Sequence, residues 1–376
     1  MAACSSAGSV QDKKSVLDSI SFTAQTIDST IQIGYGLALG DVDGDGKPDI
    51  LLADKKQIVW YRNGDWKKFV MVENLTASDN VCIAAMDING DGKVEVAVGA
   101  QWNPGETTDS TKSGAVFYLQ RPSDVSLRWK ALQLHHEPTV HRMRWMQDAS
   151  GSYQLVVVPL HGRANRNGEG SGVRVYGYRY PGENQTEWQL TLLDSNMHLT
   201  HNFEPGTLTG IQTGFYLGGK EGVRFVPFDV NRSGGKVPIY NGTGEIRQGR
   251  VDNDKNYLVT IEPMHGTQVA LYVPGEERLL LDSTLREGHA LAAADFLQQG
   301  YDQIVAGWRM PNADGKTGIK LYSRNGNKWV GTWIDENGMA CEDIQVADLN
   351  GDGRVDIVAS GRASRNVKVY WNGGSK

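Results

Sequence analysis

The chain has 376 residues, a formal net charge of −6 at pH 7 and 45 glycines, and it contains no run rich in Lys and Arg. This length could hold two or three ordinary domains or one large β domain, and the many glycines with short, recurring apolar runs favour the β domain. The acidic balance predicts no nucleic-acid partner, and no apolar stretch reaches the roughly 18 residues that a membrane span needs.

The first 17 residues are expected to be a disordered leader before a single domain at residues 18–376. The leader begins Met1-Ala-Ala-Cys4-Ser-Ser, which resembles the end of a bacterial lipoprotein signal, where lipid attaches to the cysteine. The alternative is an unmodified cysteine in a Ser-rich segment. We therefore expect a secreted, periplasmic or cell-surface protein, with a lipid anchor at Cys4 in the last case. Cys4, Cys82 and Cys341 do not form a disulfide framework.

One acidic, glycine-containing stretch occurs three times. It reads Asp-Val-Asp-Gly-Asp-Gly-Lys-Pro-Asp at residues 41–49, Asp-Ile-Asn-Gly-Asp-Gly-Lys-Val-Glu at 87–95 and Asp-Leu-Asn-Gly-Asp-Gly-Arg-Val-Asp at 348–356. Each copy follows a run of small residues and precedes a run of β-branched residues. Such repetition predicts stacked units of strand, turn and strand rather than one irregular fold.

Alignment on this acidic turn divides the chain into seven units. Their first strands are predicted at residues 34–41, 81–87, 140–146, 200–203, 245–251, 288–295 and 342–348. The seventh unit is one strand short, and residues 20–27 alternate well enough to supply that strand. The prediction is an all-β fold: a seven-bladed β-propeller whose last blade is closed by an N-terminal strand, with minimal helix.

The acidic turns match a calcium loop in part. Oxygen ligands stand at positions 1, 3, 5 and 9 with glycine at position 6, but position 12 lacks the glutamate of an EF-hand. The candidate ligands of a structural Ca²⁺ are Asp41, Asp43, Asp45, Asp49, Asp87, Asn89, Asp91, Asp348, Asn350 and Asp352. The alternative is that these side chains only accept hydrogen bonds from turn amides. No organic cofactor is expected.

The opposite rim of the propeller is predicted to carry the functional site. Five of the eight histidines fall there, together with aromatic, basic and acidic side chains. The candidates are Tyr35, Trp102, His141, His161, Arg163, His201, Lys220, His265, His289, Trp308, Arg309 and Glu342. The basic members predict a cationic cup that suits an anionic ligand, with sugar rings stacked on Trp102 and Trp308. A uronate-containing plant glycan fits that description.

Several stretches resemble known propeller enzymes. They are His135-His-Glu-Pro-Thr-Val-His-Arg-Met-Arg-Trp145, Pro159-Leu-His-Gly-Arg163, Leu199-Thr-His-Asn-Phe203, Gly288-His-Ala and Ala306-Gly-Trp-Arg309. With the acidic turns, they resemble the propeller domain of aldos-2-ulose dehydratases. They also resemble single-domain propellers that act on terminal L-rhamnose-α-1,4-D-glucuronate of arabinogalactans, described both as rhamnosidases and as lyases. The acidic turns alone resemble the FG-GAP or VCBS repeats of integrin-like propellers.

The resemblance implies an enzyme that removes terminal L-rhamnose by β-elimination. A lyase must take the C5 proton of the uronate and neutralise its carboxylate. His141 or His201 is the expected base, and Arg163, supported by Arg309 or Lys220, is the expected partner of the carboxylate. Tyr35 or His289 is expected to protonate the leaving oxygen.

Two alternatives remain open at this point. An α-L-rhamnosidase would hydrolyse the same linkage and normally needs two carboxylates, for which Glu342, Glu221, Glu137 and Glu204 are candidates. A non-catalytic glycan-binding propeller is the third class, because a fold alone does not determine function. The rim residues differ from unit to unit while only the acidic turns repeat, and this asymmetry favours an enzyme.

Overall fold

The computed structural model describes residues 20–148, 150–182, 185–208, 212–232, 234–326 and 328–375. Within these ranges every regular element is a β-strand, and the strands form seven four-stranded antiparallel sheets. The predicted all-β, seven-bladed propeller is therefore confirmed. The same ranges contain no helix long and apolar enough to cross a lipid bilayer. Cys4 lies outside the described residues, so the lipid anchor stays a prediction.

Six blades are built from four strands that are consecutive in the chain. The first three are β2 (Gly36–Gly40), β3 (Asp49–Ala53), β4 (Gln57–Tyr61), β5 (Lys68–Glu73); β6 (Cys82–Met86), β7 (Glu95–Ala100), β8 (Ala115–Gln120), β9 (Lys130–Leu134); and β10 (Val140–Gln147), β11 (Tyr153–Pro159), β12 (Val175–Arg179), β13 (Gln189–Asp194). The next three are β14 (Thr200–Leu208), β15 (Gln212–Gly219), β16 (Gly222–Pro227), β17 (Gly235–Lys236); β18 (Ile246–Arg250), β19 (Asn256–Glu262), β20 (Gln268–Tyr272), β21 (Leu279–Asp282); and β22 (Gly288–Ala294), β23 (Gln303–Trp308), β24 (Gly318–Asn325), β25 (Lys328–Glu336).

The seventh blade joins the two ends of the described chain. It contains β26 (Cys341–Ala347), β27 (Asp356–Gly361), β28 (Asn366–Ser375) and, as its outer strand, β1 (Ile20–Asp28). β1 pairs antiparallel with β28, as the alternation of residues 20–27 predicts. Pairing the outer edge of β28 in this way covers a row of backbone groups that would otherwise be open to another chain.

The hydrophobic core lies between neighbouring blades. One buried cluster joins the second and third strands of the first blade to those of the second, and another joins the fifth and sixth blades in the same way. Burial of apolar surface contributes about 25 cal/mol per Å², so each blade is stabilised mainly by the blades on either side of it. The first strand of each blade is the innermost, and these seven strands surround the central channel.

Candidate functional site

Four inner strands carry a β-bulge at the same place, one residue after their start. The pairing with the second strand shifts around His141 in β10, His201 in β14, His289 in β22 and Glu342 in β26. A bulge leaves the extra residue out of the ladder and turns its side chain in a new direction. All four side chains are buried at the same end of the central channel.

Each of the three bulged histidines places its Nδ1 against a carbonyl oxygen of the next blade. The distances are 3.1 Å from His141 to the His201 oxygen, 3.1 Å from His201 to the Gly244 oxygen and 2.7 Å from His289 to the Glu342 oxygen. A carbonyl oxygen only accepts, so Nδ1 carries the proton and donates it. Nε2 of each ring therefore keeps its lone pair.

Three imidazoles converge at this end of the channel. His265, in the loop between β19 and β20, brings its Nε2 to 2.6 Å from Nε2 of His201. The possible donor atoms of His201, His265 and His289 all lie within 4.8 Å of one another. Nitrogen lone pairs fixed by hydrogen bonds from the opposite ring nitrogen are the usual ligands of zinc and similar divalent metals. The three histidines therefore fit a metal of this class.

Burial keeps these histidines neutral. It lowers the pKa of His141 and His289 well below the ordinary value, and the charges of Arg142 and Arg309, respectively, add to the effect. Burial also lowers the pKa of His201. The pKa of His265 is lowered by burial of its ring against His201, although part of the residue is exposed at the rim. At neutral pH these four imidazoles are therefore uncharged, and Nε2 of His265 donates its proton to Nε2 of His201 across their 2.6 Å contact.

The contacts continue from the histidines to the first two blades. The ring of Trp102 stacks on His141, with ring centroids 5.0 Å apart. The backbone amide of Trp102 donates to the backbone oxygen of Asp79. The Tyr35 hydroxyl lies 3.4 Å from Oδ2 of Asp79. Burial raises the pKa of Tyr35 to about 12, so the phenol is protonated at neutral pH.

Glu342 connects the sixth and seventh blades to the first. Its carboxylate lies 3.4 Å from Arg309 and 3.3 Å from Arg362, and the Arg362 guanidinium lies 5.3 Å from the Tyr35 ring centroid. Burial raises the pKa of Glu342, and the two arginines oppose this effect. Contacts thus run all round the channel end, which we call the mouth ring. Its members are Tyr35, Asp79, Trp102, His141, His201, His265, His289, Glu342 and Arg362.

Two residues that contact the histidines were not among the sequence candidates. Nη1 of Arg142 lies 3.2 Å from Nε2 of His141, and the side chain lines the channel below the mouth ring. Glu245, immediately before β18, lies 3.2 Å from Nδ1 of His201 and accepts a hydrogen bond from the Asn202 amide at 2.6 Å. Arg142 directly follows a predicted histidine in β10, and that adjacency was the available signal.

Some predicted site residues lie elsewhere. Trp308 is fully buried at the end of β23, donates its indole proton to the Lys316 oxygen and packs against Trp333, so it offers no face to a sugar. The guanidinium of Arg163 lies 3.0 Å from Glu137 and donates to the Thr108 oxygen.

The basic side chains that were predicted to form a cationic cup have partners within the protein. Arg309 is paired with Glu287 as well as Glu342, and Lys220 donates to the Asn167 oxygen. Acidic partners therefore compensate Arg163 and Arg309, the arginines that the sequence assigned to the cup.

His161 holds a loop at the rim in place through its backbone contacts. Its backbone amide and oxygen both bond the hydroxyl of Thr139, and it forms a β-bridge with Leu199. The next residue, Gly162, cannot carry a side chain, because a Cβ there would lie 1.9 Å from the backbone oxygen of Ser171. The Leu-His-Gly-Arg stretch thus fixes a tightly packed loop beside the mouth ring.

The acidic turns lie at the other end of the inner strands. In each copy the first aspartate accepts two glycine amides: Asp41 from Gly44 and Gly46, Asp87 from Gly90 and Gly92, and Asp348 from Gly351 and Gly353. The acid at position nine accepts the amide at position two: Asp49 from Val42, Glu95 from Ile88 and Asp356 from Leu349. Both features stabilise the turn without any ion.

A fourth copy of this turn was missed. Asp295, after β22, accepts the amides of Gln299 and Gly300, and the side chain of Gln303 accepts the Leu297 amide. The hydrogen bonds are similar to those of the acidic copies but not identical, because the Gln299 and Leu297 donors lie one residue later in the turn, and the Gly-Asp-Gly sequence is absent. Gln303 also replaces the acid at position nine, which hid the copy in the sequence.

The first acidic turn fits a cation better than the others. Asp41, Asp43 and Asp49 bring carboxylate oxygens within 4.8 Å of one another. Burial raises the pKa of Asp49 to about 7, and the charges of Asp43 and Asp41 add to the effect.

Arginines compensate part of the charge of the other two acidic turns. Arg121 pairs with Asp91 and Glu95 in the second copy, and Arg354 pairs with Asp352 in the third. Among the described turns, the first therefore retains the least compensated charge.

Comparisons with known proteins agree with this architecture. Residues 113–274 match the family described as the aldos-2-ulose dehydratase β-propeller domain, and this span includes His141, His201 and His265. Residues 41–98 match an FG-GAP-like repeat and residues 83–119 an FG-GAP repeat. No curated protein matches the sequence.

Solved structures share the fold at low identity. A chain of the mitotic checkpoint complex has a TM-score of 0.59 and 11% identity, over 98% of this chain and 96% of that one. A chain of the crystal structure of BBS1N in complex with ARL6DN has a TM-score of 0.60 and 11% identity, over 96% and 97%. Likeness at this identity concerns the fold alone. The chain is a seven-bladed propeller that is similar to FG-GAP repeats over residues 41–119 and to the aldos-2-ulose dehydratase propeller domain over residues 113–274.

Proposed function

We propose that the protein is a carbohydrate-active enzyme that removes L-rhamnose from L-rhamnose-α-1,4-D-glucuronate by β-elimination. The observation that carries the proposal is the mouth ring. It contains neutral imidazole lone pairs and a protonated phenol, and the guanidinium of Arg142 lies directly below it, 3.2 Å from His141. These are the groups that an elimination needs: a base, an acid and a partner for the carboxylate.

The elimination assigns one task to each group. Nε2 of His141 takes the proton from C5 of the glucuronate, and Arg142 faces the carboxylate as negative charge develops. The electron pair of the C5–H bond forms the C4–C5 double bond, and the bond from C4 to the glycosidic oxygen breaks. Tyr35 gives its proton to that oxygen, so that free rhamnose and a 4,5-unsaturated uronate result.

His201, His265 and His289 are the residues that would hold a divalent metal. When bound, such a metal supplies Lewis-acid stabilisation of a carboxylate or carbonyl oxygen. The hydrogen bonds to the Gly244 and Glu342 oxygens orient two of these rings before any ligand arrives.

Hydrolysis by an α-L-rhamnosidase is the second candidate. It normally uses two carboxylates on either side of the bond, one of them as acid. The two buried glutamates at the mouth already have partners: Glu342 has two arginines, and one oxygen of Glu245 accepts from the Asn202 side chain. This engagement favours elimination.

One assay separates the three classes. The protein is incubated with a rhamnosyl-glucuronate disaccharide, and both rhamnose and the absorbance of a 4,5-unsaturated uronate are followed. Elimination yields both signals together. Rhamnose without the absorbance would identify a hydrolase and overturn the proposal, and saturable binding without product would identify a non-catalytic glycan-binding propeller.

A further inference from the structure

A cavity of about 440 Å³ continues from the mouth ring into the central channel. It runs from Tyr35 and Val81 at the mouth to Met86 and Ala347 near the acidic turns. Its volume lies within the roughly 300–1,000 Å³ range of small-molecule pockets. The first two blades give it an apolar wall, for example Leu37 and Ile83, and the opposite wall is charged.

Three arginines line the charged wall, and they use few of their donors on the protein. Nη1 of Arg142 bonds His141, and Nη1 of Arg247 bonds the Ile246 oxygen at 2.6 Å. Arg144 comes no closer to a carboxylate than 3.9 Å, to Oε2 of Glu204. Each guanidinium has five N–H groups, and the hydrogen bonds named above use only a few of them.

The acidic groups of the channel balance this charge without satisfying the arginines. Arg247 lies 3.9 Å from both Glu204 and Glu245, which exceeds hydrogen-bond distance. Glu245 is bonded by Asn202 instead.

Asp343 and Glu204 are also engaged away from the arginines. The Asp343 carboxylate accepts the amides of Leu37 and Ile344 at 2.8 and 2.9 Å. Glu204 accepts the amide of Gln248 at 3.5 Å. The acids of the channel thus bond mainly to other groups, and the arginines stay open to an incoming oxyanion.

We infer that the channel cavity is a binding site for a carboxylate-bearing sugar, held by Arg144 and Arg247 with Arg142 at its upper edge. A planar carboxylate matches the guanidinium fork, and the apolar wall suits the C–H face of a pyranose ring. Burial and the charge of Arg247 lower the pKa of Arg144 to about 10, and a bound anion would relieve this strain between like charges. The cavity shares Tyr35 and Arg142 with the proposed reaction, whereas Arg144 and Arg247 take no part in that chemistry. The choice of a hexuronate rests on the proposed function.

Isothermal titration with free D-glucuronate tests the site. Wild-type protein is expected to bind glucuronate, with an affinity that falls as salt rises, and to give no signal with neutral L-rhamnose. Arg144→Gln and Arg247→Gln are each expected to weaken binding at least tenfold. Arg128→Gln, which removes an exposed guanidinium paired with Glu73, is the matched control and retains wild-type affinity.

The outcomes separate this inference from the proposed function. Glucuronate affinity that is equal in wild type and in both channel variants would overturn the channel site, even if the rhamnosyl-glucuronate assay succeeds. Binding that depends on Arg144 supports the site, even if that assay fails. Sulfate binding tighter than glucuronate would overturn the choice of a sugar. Arg144→Lys keeps the positive charge but lacks the planar guanidinium that can hold a carboxylate through two hydrogen bonds. The melting temperature of each variant shows whether a loss of glucuronate binding reflects a loss of folding.

Discussion

His141, His201 and His289 each stand second in an inner strand, where a bulge turns the side chain toward the next blade. The same bulges leave the backbone oxygens of His201 and Glu342 free to accept the imidazole protons of His141 and His289. One backbone irregularity thus orients the ring and selects its tautomer. The propeller prepares three Nε2 lone pairs without using a carboxylate for each ring.

His141→Gln is expected to lower kcat for rhamnosyl-glucuronate about 10²–10⁴-fold, because it removes the proposed base. Steady-state release of unsaturated uronate measures the effect. The control is His198→Gln, since His198 is only half-buried and pairs with Glu221 instead of the mouth ring. Full activity in His141→Gln, with the control unaffected, would assign the base to another residue.

Arg142→Gln is expected to lower kcat/KM about 10²–10³-fold, because the guanidinium beside His141 faces the developing charge. Arg163→Gln should leave it nearly unchanged, since Arg163 is engaged by Glu137. The reverse order of effects would restore the interpretation that the sequence suggested. Neither the Arg163 pairing nor the position of Arg142 follows from spacing along the chain.

The neutral histidines predict a dependence of stability on pH. Unfolded histidines take up protons near pH 6.5, whereas burial lowers the pKa of His141 and His289 well below it in the folded state. The unfolded state therefore binds more protons below pH 6.5, and the free energy of unfolding falls as pH decreases from 7 to 5. It is unaffected by these groups above pH 7.

Urea unfolding of wild type and His289→Gln at pH 5 and 7 checks this expectation. The loss of unfolding free energy between the two pH values should be smaller in the variant, which lacks one of the depressed histidines. Comparing the two proteins removes the contribution of acidic groups such as Asp49, whose pKa burial raises to about 7. Equal losses would mean that His289 is not held neutral.

At the scale of the elements, the acidic turns were the most informative part of the sequence. Their spacing gave the unit length, the order of strands and the end of the channel where the histidines meet. The bulges have no recognisable sequence pattern. Counting residues along each strand placed His141 and His201 correctly, but it placed Trp308 at the rim, whereas this residue is buried at the end of β23. The fourth turn was not predicted, because Asp295 and Gln303 accept similar hydrogen bonds although the repeated acidic sequence is absent.

Calcium is expected to stabilise the protein through the first turn alone. At a concentration 100 times Kd, a bound ion adds roughly 2.7 kcal/mol to the free energy of unfolding. Asp43→Ala should abolish the rise in melting temperature with Ca²⁺, and Asp91→Ala should preserve it because Asp91 is already paired with Arg121. If Ca²⁺ leaves the wild-type melting temperature unchanged, the carboxylates serve only to hold the turn amides.

At the scale of the whole molecule, one side-chain arrangement links neighbouring blades repeatedly. An aspartate at or next to the end of the outer strand of one blade accepts hydrogen bonds from a tyrosine hydroxyl and a lysine of the next blade. Asp282 does so with Tyr322 and Lys320, and Asp335 with Tyr370 and Lys368. The ring closure that residues 20–27 predicted uses the same arrangement, but the aspartate and its partners could not be matched from sequence because they lie in different units.

Asp28, at the end of β1, makes this contact where the seventh blade meets the first. Tyr61 donates to it at 2.7 Å and Lys68 at 2.9 Å. Burial raises the pKa of Asp28, but these bonds and those from Thr30 outweigh burial and lower it to about 2. Its contribution is therefore fully present above pH 4 and is lost as pH falls toward 2.

Asp28→Asn is expected to lower the free energy of unfolding at pH 7 by about 2 kcal/mol, the amount that such a pKa shift implies. Urea unfolding at pH 7 measures the loss, and Asp65→Asn is the control because Asp65 is exposed and pairs with Arg62 within one hairpin. Since β1 closes the ring, the destabilised protein should also release β1 first, exposing the edge of β28. Hydrogen exchange that is faster in β1 than in β24 of the variant would show this order, and uniform exchange would contradict it.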